Sequence, residues 1–131
     1  MSADVLNLIK NAMEALGLKY GFMEYKVNAG EALPATYFVG EYHELESDGE
    51  AGEEDTVFIL TGFSREKWIR LEETKEMIKK YFPRNSGRVI AAGSDSTVAL
   101  FYGNSLPLPV EDDELKKMQI NLVIKEWKVE Q

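Results

Sequence analysis

The chain of 131 residues has no cysteine and one histidine, His43. Lack of cysteine removes disulfide bridges, thiolate metal sites and cysteine nucleophiles together, and accords with assembly in a reducing cytoplasm. A single histidine limits any metal or acid-base site to one imidazole. No apolar run approaches the roughly 20 residues that cross a bilayer. Near the amino end Asp4 stands where a secretory signal would carry basic residues. Neither membrane insertion nor export is expected. The glycines form neither G-x-G-x-x-G nor G-x-x-x-x-G-K-[ST], and no G-x-S-x-G elbow surrounds Ser94 or Ser96.

Acidic charge is what the chain has in excess. Residues 41–55, EYHELESDGEAGEED, hold eight carboxylates (Glu41, Glu44, Glu46, Asp48, Glu50, Glu53, Glu54 and Asp55) and no lysine or arginine. Removing these eight from 23 acids leaves fifteen, equal to the fifteen lysines and arginines, so the whole net charge of −8 lies in one segment. Nucleic-acid binding needs a basic surface that displaces counterions from phosphates, and the concentrated field here is negative. Specific nucleic-acid binding is not expected.

Four chemistries could use such a stretch. A calcium loop of the D-x-[DN]-x-[DN]-G type with a glutamate at position twelve fits DGEAGEED in no register. His43 with Glu41, Glu44 and Glu46 lacks a second nitrogen or sulfur ligand for zinc, and strand alternation sends His43 and Glu44 to opposite faces. Acid-base work by paired carboxylates needs one desolvated acid, which a loop rich in charge does not supply. A serine triad would have His43 as its only base. No catalytic, cofactor-binding or metal-binding residue is therefore assigned, and the protein is read as a non-enzyme. Candidates for partner contact are Glu44, Glu46, Asp48, Glu50, Glu53, Glu54, Asp55 and Trp127.

Periodicity predicts a helix over 4–16, where Val5, Leu8, Ile9, Ala12, Met13 and Leu16 share one face, Ser2 or Asp4 caps the start and Gly17 ends it. A strand is expected over 19–27, followed by turn residues Asn28, Gly30 and Pro34. Segments 35–45 and 55–63 read as an antiparallel hairpin whose flexible acidic tip spans about 44–55. Ser64 is placed to cap a helix over 65–82, which Pro83 stops; Trp68 lies on its apolar stripe, and its outer face carries Arg65, Lys67, Arg70, Lys75, Lys79 and Lys80, read as solvated. Strands follow at 87–93, 97–103 and 118–129, with a proline-containing connection over 104–117. The sum is one α+β domain over 1–131, order α-β-β-β-α-β-β-β, with helices packed on a mainly antiparallel sheet. On the last strand, Trp127 shares a face with Val123 and Val129, opposite Ile120, Leu122 and Ile124. That second apolar face points to subunit packing or a second covered face.

The element order, the run VFILTGFSREKWIRLEETKEMIKKYF passing from strand into amphipathic helix, and the closing strand QINLVIKEWKV resemble the tail terminator and tail completion (head-tail joining) proteins of long-tailed bacteriophages. The resemblance covers nearly the whole chain. It implies that Val57 to Phe63 and Gln119 to Val129 lie in one sheet, with the helix from Arg65 to Phe82 packed across it. It also implies a ring-like homo-oligomer, commonly of six copies, which caps the tail tube and presents a surface to the head connector by protein contact alone. Its location would be the virion or the cytoplasm of a bacterial host. The acidic tip departs from the family pattern, where the equivalent segment varies. The other reading is a small cytoplasmic α+β module that binds a ligand or a peptide.

Overall fold

The computed structural model describes residues 1–45, 53–93, 96–111 and 114–128, without the side chains of Glu53 and Lys128. The elements are α1 (Ala3–Ala15), β1 (Tyr20–Phe22), β2 (Thr36–Glu44), β3 (Glu53–Ser64), α2 (Ile69–Tyr81), β4 (Arg88–Ala92), β5 (Ser96–Leu108) and β6 (Lys116–Lys128). They build one mixed, mostly antiparallel sheet in the order β1-β2-β3-β6-β5-β4. The class is α+β, as expected.

Helix α1 forms where its spacing places it. Ser2 Oγ accepts the Val5 amide at 3.4 Å, and Gly17 turns the chain at φ 75°. Val5, Ile9, Ala12 and Met13 are buried. Helix α2 starts later than expected, because Ser64 belongs to β3. Its hydroxyl meets Thr36 Oγ1 at 2.7 Å across the Thr36↔Ser64 pair and accepts the Glu66 amide at 3.1 Å, so it shapes a turn ahead of the helix. Trp68 occupies the cap position, and its side chain makes no capping bond to the backbone. At the other end Phe82 leaves the helical region (φ −119°, ψ 79°), as a residue before proline tends to.

Three strand extents also differ from the expected ones. β1 has only three residues and runs parallel to β2, since Met23 turns at φ 67° and donates its amide to Gly40 O at 2.8 Å. Residues 23–35 then make the crossover that a parallel pair requires. β5 runs past Gly103, through a register shift between Tyr102 and Asn104, to Leu108. Pro107 is accommodated because β4 pairs only with Ser96 to Leu100, which leaves the later half of β5 at an edge where no amide is needed. β6 begins at Lys116 rather than 118.

Both helices cover the same face of the sheet. Phe38, Thr56, Phe58, Leu60, Val98, Leu100, Tyr102, Met118, Ile120, Leu122 and Ile124 point into it and are buried beneath Val5, Ile9, Met13, Leu71, Ile78 and Phe82. Two phenylalanines occupy the space above two glycines. A Cβ on Gly62 would fall 2.5 Å from Phe38 Cε1 and 3.0 Å from Leu71 Cδ2; one on Gly40 would fall 2.4 Å from Phe58 Cζ and 2.8 Å from the Tyr20 hydroxyl. Replacing Gly62 by alanine should lower unfolding free energy by about 1–3 kcal/mol through overpacking. Urea denaturation checks this, and a loss below about 0.5 kcal/mol, the scale of an ordinary surface change, would contradict it.

Burial pushes the Tyr20 phenol up to about 12. An unfolded tyrosine ionises near pH 10. Between about pH 10 and 12 the folded state therefore keeps a proton that the unfolded state loses, and stability falls as pH rises through that window. Absorbance titration at 295 nm should show a late phase from Tyr20. Tyr20→Phe should remove that late phase; an unchanged titration curve would count against the assignment.

Candidate protein-contact site

The end of the sheet where β2 and β3 meet carries much of the acidic segment. Glu44 closes β2 opposite Thr56, while Glu53, Glu54 and Asp55 open β3 opposite Trp127, Glu126 and Lys125. The acidic tip expected over about 44–55 is thus narrower, because β6 extends far enough to pair the first residues of β3, and the Leu45 amide donates to Asp55 O at 2.9 Å. Glu46, Asp48 and Glu50 lie outside the described residues.

Strand alternation divides the described acids between two faces. Glu44, Glu54 and Glu126 lie on the helix side at the start of α1. The Met1 amine donates to Glu44 Oε1 and Glu54 Oε1, each at 2.5 Å, and the Ser2 amide to Glu126 Oε1 at 3.3 Å. Burial works against the ammonium, yet the hydrogen bonds with Glu44 and Glu54 outweigh it, and the amine holds its proton above its ordinary range. Glu44 and Glu54, expected as partner contacts, are engaged within the chain. Glu126 is 2% exposed, and its second oxygen has no hydrogen-bond partner among the described residues.

Asp55 and Trp127 belong to the opposite face, where no helix of the described residues lies. Glu41 and His43 share that face, so His43 and Glu44 are separated as alternation required. Among the described residues no group of three or more histidine, aspartate or glutamate side chains is placed to hold a metal.

This helix-free face has two apolar areas. Near the acidic end, Val57 of β3, Val123 of β6, Phe101 and Ala99 of β5 and Val89 of β4 lie side by side, with Val89 64% and Trp127 38% exposed. Farther along, Tyr25 packs on Tyr37 (5.3 Å between ring centroids), Tyr37 on Phe63 (5.1 Å), and Lys117 Nζ lies 5.4 Å from the Phe63 centroid. These rings border a shallow groove of about 390 Å³ with Met23, Leu33 and Val39. Gln119, Asn121 and Asn104 form a hydrogen-bonded row between the two areas, at 2.9 and 2.8 Å.

Sequence reading placed Trp127 and Val123 on this face but missed Ile59, Phe101 and Val89. Their signal was available in β3, where Val57, Ile59 and Phe63 are apolar at the positions alternate to Phe58 and Leu60. A strand apolar on both faces is the pattern of a sheet covered on both sides.

These features define a one-sided α+β domain with an acidic strand end and a partly apolar free face. No protein-family model matches the chain, and no curated protein matches it in sequence.

The two tryptophans should respond differently to truncation. Trp68 packs on the core and donates its indole N–H to Glu72 Oε1 at 3.3 Å, whereas Trp127 lies on the free face. Trp127→Ala should change monomer stability by no more than about 0.5 kcal/mol, and Trp68→Ala should lower it by about 2 kcal/mol or more. Equal losses in urea denaturation would contradict the placement.

Proposed function

We propose that the chain is a structural assembly protein of a phage or prophage tail. It acts without catalysis, capping or completing the tail tube as a ring of its own copies and meeting the head connector by protein contact. The observation that carries this reading is the helix-free face, where Val57, Val123 and Phe101 form one cross-strand row, Ala99 and Val89 lie in the next beside Lys125, and Trp127 follows opposite Thr97. An antiparallel sheet bare on one side ordinarily alternates apolar-in with polar-out, and this one does so incompletely. An exposed tryptophan on a partly apolar face has the composition of a protein-contact anchor. The order of elements and the strand-to-helix passage from β3 into α2 support the same family reading.

The second reading, a small α+β module that binds a ligand or a peptide, receives less support. The space between helices and sheet is filled by Phe38, Phe58, Phe82, Met13 and Leu71, each no more than 1% exposed. The outer groove beside Tyr37 and Phe63 is shallow and open.

Eight acids in residues 41–55 of each copy make assembly electrostatic. In a ring, acidic segments brought within a Debye length, roughly 8 Å at physiological salt, interact strongly. Sedimentation velocity across a range of ionic strength, with and without a phage tail-tube protein, tests the reading. Oligomers whose population moves with salt and a complex with tube protein are expected. A monomer at every salt concentration that also ignores the tube would overturn it.

A further inference from the structure

Both edges of the sheet are half covered, and the bare halves match. β1 pairs β2 only over residues 38–40, so residues 41–45 have no outer neighbour among the described residues. β4 pairs β5 only over residues 96–100. Beyond them the Phe82 carbonyl accepts the Tyr102 amide at 2.9 Å and Arg84 Nη2 reaches Gly103 O at 3.0 Å. The bare part of β5 is therefore 104–108, equal in length to 41–45. Because β2 ends where β5 starts, the two bare parts lie at opposite ends of the sheet.

Strand parity fixes which backbone groups are open there. Phe38 donates its amide to Lys19 O and Gly40 O accepts from Met23, each at 2.8 Å, so even residues of β2 face away from β3. Tyr42 and Glu44 thus present amide and carbonyl at the bare edge. On β5 Tyr102 faces outward, and the register shift after it turns Asn104, Leu106 and Leu108 toward β6, which leaves Ser105 and Pro107 outward. Pro107 offers a carbonyl and no amide. The outward residues of both strands carry their side chains on the helix side: Tyr42 packs against the core, and Ser105 Oγ meets the Tyr102 hydroxyl at 2.8 Å. Joining the two edges therefore keeps both sheets facing the same way.

We infer that residues 104–108 pair antiparallel with residues 41–45 of a second copy of this chain, head to tail, so that one sheet continues from copy to copy. Ser105 and Glu44 exchange amide and carbonyl bonds, and the Tyr42 amide donates to Pro107 O. The lap is roughly 17 Å long, with β4 of one copy at one end and β1 of the next at the other. Pairing Ser105 with Tyr42 instead would drive β1 into the end of β5. A heterologous contact of this kind closes into a ring or continues as a filament. The inference rests on the assembly reading and names the contact that joins its copies.

Side chains at the lap favour this pairing over two like edges. Leu45 and Leu106, 48% and 39% exposed, come to diagonal positions on the helix-free side. Glu41 enters the row of Leu108 and Lys117, roughly 10 Å from the lysine backbone and within reach of two long side chains. The run 77–93, with Lys79, Lys80, Arg84 and Arg88 and no acid, flanks the β5 edge; Lys79 Nζ and Arg84 Cζ lie 5.6 and 5.3 Å from the Tyr102 centroid. Two β5 edges would set these cations against their own copies, and two β2 edges would do the same to Glu41.

The chain has no cysteine, so introduced thiols are its only ones. In the inferred register His43 faces Leu106 in a non-hydrogen-bonded pair, whose Cβ atoms stand roughly 4.5–5.5 Å apart, near disulfide reach. A mixture of His43→Cys and Leu106→Cys chains, oxidised gently once assembled, should give about tenfold more linked dimer than either variant alone, or than Glu41→Cys with Leu106→Cys. No such excess would overturn the inference. Leu106→Cys linking to itself would assign a β5–β5 joint and overturn it too. In the unaltered chain, amide exchange at Tyr42, Glu44 and Ser105 should slow by about tenfold or more on assembly. Unchanged exchange in an oligomer would overturn the inference and leave the assembly reading standing. Slowing in an oligomer that ignores tube protein would support the inference and overturn the tail reading. Slowing only when tube protein is present would assign the edges to that protein and overturn the inference. A monomer at every salt concentration that also ignores the tube would overturn both.

Discussion

The close seating of two aromatic rings on two glycines is the constraint on which this fold depends. Phe38 occupies the space above Gly62, and Phe58 the space above Gly40, so each ring fills the gap left by a missing side chain on a neighbouring strand. Leu71 of α2 rests against the Gly62 position and Tyr20 against Gly40, which ties α2 and β1 to the same two sites. Large rings on the helix side draw both helices to that side, where dispersion and apolar burial are greatest. Among the described residues no helix is then left to cover the opposite face. One-sidedness follows from the placement of bulk, and with it the exposure of Trp127 and Val89.

Much of this was legible in the sequence where one local rule acts without competition. The spacing of Val5, Ile9, Ala12 and Met13 with Ser2 and Gly17 at the ends fixed α1 closely, and alternation along β6 placed Trp127 opposite Ile120, Leu122 and Ile124. Reading failed where one residue type has two uses. Ser64 can cap a helix or bond to a neighbouring strand, and only the position of Thr36 decides it. Pro107 reads as a loop residue, yet an unpaired edge tolerates it. The short parallel β1 depends on Met23 and Gly40, seventeen residues apart, which no periodicity reveals.

The candidate site divides along the same line. Acids crowded in one segment are visible by counting, but the engagement of Glu44 and Glu54 at the start of α1, opposite in face to Asp55, is a property of strand register. The basic counterpart was partly visible as a run without acids. That Arg84 and Lys79 meet over one tyrosine required the fold, because Tyr102 comes from β5 and reaches them across the end of α2. Charge is therefore segregated twice, along the sequence and across the surface, and an apolar anchor lies at its acidic end. Segregated charge directs encounter and register, while the buried apolar anchor supplies most of the affinity.

The central claim is that the helix-free face is a contact surface, and its methyl groups report on this directly. Methyl NMR with a soluble paramagnetic probe, run on dilute monomer and on assembled protein, measures their access to solvent. The account predicts that Val57, Val89 and Val123 lose probe-induced relaxation on assembly while Met77, on the outer side of α2, keeps it. Equal relaxation of Val57, Val89 and Val123 in the two states would contradict the account.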